Sequence, residues 1–219
     1  MGLALFWIAI AVLCGNLFGV GKAFATDYGV VPTIETGPIW MFLYSNRWRE
    51  DVADITLRYG AGLTLHLEPY VTAEWARNMA LEANYFYSKS HVTVKPFRNT
   101  AIYQAETPNE YDLYVNTALL QISYFFSGRR LHPNLTIGGG ATYMEFYRLN
   151  GVERTQRELQ PTLVVGGGVD YTLAQLSGKF ALDQINIGGR VRYCYYSWQH
   201  LVDESINSVD VGVRLSLRF

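Results

Sequence analysis

From Val209 to Phe219 the chain alternates without a miss. Val209, Val211, Val213, Leu215, Leu217 and Phe219 are apolar, while Asp210, Gly212, Arg214, Ser216 and Arg218 between them are small, polar or charged. Alternate side chains of a strand leave on opposite faces, so this stretch predicts one oily face and one face bearing arginine. The pattern recurs upstream. Ile55, Leu57, Tyr59, Ala61, Leu63, Leu65 and Leu67 oppose Thr56, Arg58, Gly60, Gly62, Thr64 and His66. Ile185, Ile187, Gly189, Val191, Tyr193 and Tyr195 oppose Asn186, Gly188, Arg190, Arg192, Cys194 and Tyr196. Further apolar rows start at Ala118, Leu135 and Leu163, and residues 80–90 and 37–46 bring the predicted strands to eight.

Runs of roughly 10 to 15 residues exceed the usual strand of a soluble sheet and match a tilted strand crossing a bilayer. The local pattern by itself also suits a soluble sandwich, whose apolar faces would meet a second sheet. Aromatic residues argue for the membrane. They gather near predicted strand ends, at Trp40, Tyr44 and Trp48, Tyr85 to Tyr87, Tyr111 and Tyr114, Tyr143 to Tyr147, and Tyr195, Tyr196 and Trp198, with Tyr124, Phe126, Tyr171 and Phe219 at the other rim. Two belts of this kind are expected where an apolar band meets water on both sides. Gly138 to Gly140 and Gly166 to Gly168 fall in mid-strand, where small residues relieve crowding in a narrow closed barrel. No helix or Lys-Ser/Thr follows either triplet, which excludes a phosphate-cradling loop.

The first residues read differently. Leu3 to Cys14 form an unbroken apolar run, and Ala23-Phe24-Ala25 is a small-x-small pattern before Thr26, so residues 1–25 are expected to be a signal peptide. Lys22 stands late in it, which leaves an uncleaved anchor as the alternative. Residues 26–36 are then a periplasmic N-terminal segment and 37–219 the barrel. After cleavage Cys194 is the only cysteine left, so no intramolecular disulfide can form. A formal net charge of -1 offers no basic surplus for nucleic acid.

A strand that finishes the chain on an aromatic residue resembles the C-terminal signature of bacterial outer-membrane barrels. That resemblance makes Val213, Leu215, Leu217 and Phe219 an assembly signal, with the barrel assembly machinery as its partner. Residues 133–140 (PNLTIGGG), 161–169 (PTLVVGGGV) and 189–193 (GRVRY) extend the likeness, and the mature chain resembles the OmpA and OmpX families of small barrels. The implied fold is an all-β, eight-stranded antiparallel up-and-down transmembrane barrel in the bacterial outer membrane. Its outer face would meet outer-membrane lipid, including lipopolysaccharide. With Phe219 as its last residue, the chain is expected to lack the separate peptidoglycan-binding domain that some of these families carry.

An even strand number with both ends in the periplasm puts outside loops at 47–54, 89–110, 149–158 and 199–207. Loop 89–110 is the longest, carries Pro96 and Pro108, and is where an extracellular or envelope protein partner is expected. Inside turns fall near 68–79, 127–133 and 174–183, the first either holding a short helix between Tyr70 and Asn78 or extending its strands.

Eight strands enclose a space that side chains nearly fill, so an open diffusion pore is not expected. Arg58, Glu82, Asp170, Arg190, Arg192, Asp210, Arg214 and Arg218 are predicted to face that space and to pair into a network, because unpaired charge is costly there. A structural plug is the expected role, with a narrow gated channel as the alternative. An acyl hydrolase is the other alternative: residues 192–198 faintly resemble the lipid A deacylase motif, although Tyr195 stands where that motif has His and is a poor base at neutral pH. Ser197, His200 and Glu204, with Asp203 beside them, are the group that would then have to work together. No catalytic residue, cofactor or metal site is assigned. His66, His91 and His132 are scattered, and Cys194 is expected to fill space inside.

Overall fold

The computed structural model describes residues 30–43, 56–94, 109–126, 128, 130–148, 156–175, 184–196 and 206–218. Eight antiparallel strands close into a barrel: β1 (Val30–Leu43), β2 (Thr56–His66), β3 (Met79–Val94), β4 (Asn109–Phe125), β5 (Leu131–Arg148), β6 (Gln156–Gln175), β7 (Gln184–Tyr196) and β8 (Ile206–Arg218). Each strand pairs with its sequence neighbour, and β8 returns to β1 from Thr33↔Ser216 to Leu43↔Ile206. Closure leaves the sheet no edge, so backbone donors and acceptors find partners within the protein. A helix α1 (Glu74–Arg77) lies in the β2–β3 turn, the first of the two forms expected there.

Following the register once round from Val31, through Thr64, Glu82, Gln121, Gly138, Val164, Cys194 and Ser208, returns to Met41 on the starting strand. That ten-residue stagger over eight strands tilts them by about 40° and sets a backbone radius of about 8 Å, using the standard rise and strand spacing. A cylinder that narrow is filled by its inward side chains.

The alternation read from the sequence sorts the two faces. Leu120, Ile137 and Leu163 point out and are 71%, 65% and 64% exposed, and Leu57, Val191 and Val213 are exposed with them. The inward side is a mixture of threonine, serine, glycine and charge, with Leu119, Met144 and Val164 as apolar filling. The arrangement is a soluble protein's turned inside out. An apolar band open on the outside of a closed barrel is stable against hydrocarbon and a liability in water.

Three expectations need correction. Residues 30–36 belong to β1 and not to a periplasmic segment: Val31, Thr33 and Glu35 face in and pair round the barrel. Pro32, Glu35 and Pro38 hide the alternation, yet β1 has a partner on each side and the ladder holds despite two missing donors. Loop 89–110 is shorter than expected, because Lys89 to Val94 pair with Asn109 to Tyr114 as a continuation of the β3–β4 hairpin; His91 therefore lies in a strand. Lys89 and Asp112 made these residues look like loop, whereas they face outward beyond the apolar band and pair with each other at 2.7 Å. Tyr196, read both in the outer belt and on the face opposite Tyr195, takes only the second place: it is buried in the lumen against Ser208 at 2.8 Å. Residues 95–108, Ser197, His200, Asp203, Glu204, Phe219 and the expected signal peptide lie outside the described residues.

Candidate functional site: the charged lumen

Arginine needs room in so narrow a cylinder, and glycines on the facing strand supply it. A Cβ on Gly166 would come within 2.6 Å of Arg192 Cγ, and one on Gly168 within 2.8 Å of Arg190 Cγ. The mid-strand triplet of β6 is thus the bed in which two arginines of β7 lie.

Seven inward charges form two tiers. Nearer the loop end, Arg58 donates to both carboxylate oxygens of Asp210, at 2.7 Å to Oδ1, and reaches Glu35 at 3.2 Å. Arg192 Nε donates to Asp210 Oδ1 at 3.2 Å and its Nη2 pairs with Glu35. Both guanidiniums sit over the Phe86 ring, at 4.0 and 4.6 Å from its centre. Two cations and two anions make this tier neutral.

The second tier hangs on one carboxylate. Arg190 reaches across the lumen from β7 to β3 and grips Glu82 with two bonds of 2.6 and 2.8 Å. Arg214 adds a third to Glu82 at 3.2 Å, and also donates to Thr64 at 2.7 Å and Ser216 at 3.1 Å. Glu82, Arg192 and Asp210 are each 1% exposed, so these ions have left water altogether. Paired, bidentate geometry is what makes burial of this kind tolerable.

Two of the residues read as inward charges stand apart. Asp170 and Arg218 make no ion pair among the described residues, and Arg218 is exposed at the turn-end rim. Both line a cavity of about 240 Å³ that opens at that end. Glu35, which completes the first tier, was missed because its segment was read as lying outside the barrel. Its position between Thr33 and Gly37, on the same face as Val31, is the signal that would have found it. Cys194 is buried, with Sγ 3.8 Å from Asp210 Oδ2.

On the outside, Tyr85, Tyr87, Tyr114, Tyr143 and Tyr147 stand towards the loop end, and level with the upper ones Lys89, Asp112, Glu145 and Arg157 form surface ion pairs. Tyr124 and Phe126 stack edge to face, 5.1 Å apart, at the turn end. The apolar band runs between these two girdles.

No family model matches this sequence, and no curated protein does. Solved structures match its fold. Neisserial surface protein A aligns over 87% of this chain and 97% of its own length, with a TM-score of 0.58 and 12% identity. The chain has the fold of the small outer-membrane β-barrels. Ail, the attachment invasion locus protein of Yersinia pestis, solved with the heparin analogue sucrose octasulfate, covers 87% of this chain and 99% of its own at a TM-score of 0.48 and 9% identity. The outer membrane enzyme PagL covers 84% and 97% at 0.40 and 14%. A closed barrel with an apolar outer band between aromatic girdles is an integral membrane protein, and single-chain barrels of this build reside in the bacterial outer membrane.

Proposed function

We propose that this outer-membrane barrel is non-enzymatic, has a closed lumen, and serves the envelope as a structural element that presents its loops to other molecules. The observation that carries this reading is the second tier. Arg190, Glu82 and Arg214 bridge opposite walls, both guanidiniums held on one carboxylate across the lumen, so that side chains and not an open path occupy its centre. Planar-bilayer recording of the purified protein should show no steady conductance steps at neutral pH. Regular steps would replace the plug by a channel.

The outward band takes outer-membrane lipid, with lipopolysaccharide in the outer leaflet. Strand β8 and the residue after it, through Val213, Leu215, Leu217 and Phe219, address the barrel assembly machinery; the support for this is the unbroken alternation of the strand. Contact with an extracellular or envelope protein is assigned to residues 95–108, the segment that joins the paired ends of β3 and β4, Lys89 to Val94 and Asn109 to Tyr114. Deleting that loop should abolish partner binding in a cell-surface pull-down while the barrel keeps its heat-dependent gel mobility. Binding that survives the deletion excludes the loop.

A further inference from the structure

The two charges left over from the tiers point to a site. Asp170 and Arg218 have opposite sign and line the same cavity at the turn end. Asp170 is 7% exposed, and its Oδ1 has no hydrogen-bond partner among the described residues; the contact to its other oxygen is a long one, Asn134 Nδ2 donating to Oδ2 at 3.5 Å. A buried carboxylate oxygen without a donor is expensive, and a native site supplies the donor from somewhere. Neither Arg190 nor Arg214 bonds it: both guanidiniums are turned to Glu82, and Arg190 Nε, the one donor left over near Asp170, makes no hydrogen bond among the described residues.

The surroundings fit a polar guest. His66, His132, Thr172 and Gln184 line the same space, and His132 Nε2 lies 3.5 Å from Thr172 Oγ1. The volume would hold about eight waters at roughly 30 Å³ each, enough for a small organic molecule. No group of three metal-ligating side chains occurs among the described residues, which argues against a metal ion as the missing partner. Asp170 and Arg218 also sit at nearly the same height. They are placed two strands apart, on β6 and β8, through the pairs Asp170↔Gly188 and Gln184↔Arg218.

We propose that this periplasmic vestibule is a binding site for a small zwitterion, its ammonium donating to Asp170 Oδ1 and its anionic end held by Arg218. The site lies below the closed tiers, so it is a receptor pocket facing the periplasm and not a stage of a pore. This goes beyond the structural role proposed above: that the pocket is not a stage of a pore rests on the closed lumen, whereas the binding itself does not.

Phosphoethanolamine is a suitable probe, with ethanolamine and inorganic phosphate as its separate halves. Calorimetric titration of the purified protein in zwitterion-free detergent micelles should register binding of phosphoethanolamine, with each half at least about tenfold weaker. Asp170→Asn and Arg218→Gln should each weaken it by about tenfold. Arg218 is at the exposed rim, so its variant decides the matter even if Asp170→Asn fails to fold. No binding overturns the proposal. So does binding of either half as tight as the whole, or binding unchanged in the Arg218 variant.

Discussion

Replacing Glu82 by Gln should cost the barrel about 3–5 kcal/mol, read as a large fall in the urea midpoint of the protein in lipid vesicles. Glu82 is the only carboxylate among the described residues that pairs with Arg190 and Arg214, and both guanidiniums remain in the lumen when its charge is removed. Gln keeps the volume and one acceptor, so the loss reports the charge and not a cavity. The same electrostatics have a second, less obvious consequence. Removing all three charges together, with methionine at positions 82, 190 and 214, should be far milder than the single change, because no unpaired ion is left behind. A Glu82→Gln loss below about 1 kcal/mol, within the range of ordinary substitutions, would mean that water reaches these arginines and that the tier is not a dry plug.

The second large effect is on the outside. Leu120→Arg should destabilise the reconstituted barrel by about 2–4 kcal/mol, because Leu120 points outward near the middle of the apolar band and the arginine would be placed at the bilayer midplane. Leu120 lies midway along β4 between Tyr114 and Tyr124, and it is 71% exposed with no protein covering it. The sign is the decisive part. In a water-soluble protein the same change at so exposed a leucine would be neutral or would improve solubility. An exposed-surface result, with unchanged stability in vesicles and a freely soluble product, would remove the membrane reading and everything built on it. Val165→Arg, on the same outward face, is expected to behave in the same way.

Much of the barrel was written in the period of its sequence. A strand period of two is rigid, so Leu57, Leu63, Val191 and Val213 could only share a face, and so could Arg58, Arg190, Arg192 and Arg214. That the oily face met lipid followed from runs long enough to cross a bilayer and from aromatic residues gathered at both ends of the strands. Where proline or an isolated charge broke the rhythm, the reading failed: β1 was begun late, at Gly37 beside Pro38, and Lys89 to Val94 passed for loop. Both errors have one cause. Local sequence registers how easily a strand forms alone, whereas here the pairing of β1 with β8, and of β3 with β4, supplies the stabilisation from outside the segment.

What the sequence determined by itself, then, was the sorting of side chains to two faces, because that depends only on parity. Which charges meet was decided by the closed structure. Glu82 reaches Arg190, far along the chain, and Asp210 reaches Arg58 only because the strands close with a ten-residue stagger, and that number is a property of the whole sheet. The same closure left Asp170 and Arg218 beside one cavity without ion-pair partners among the described residues, since pairing across a lumen depends on height and distance, which parity does not encode.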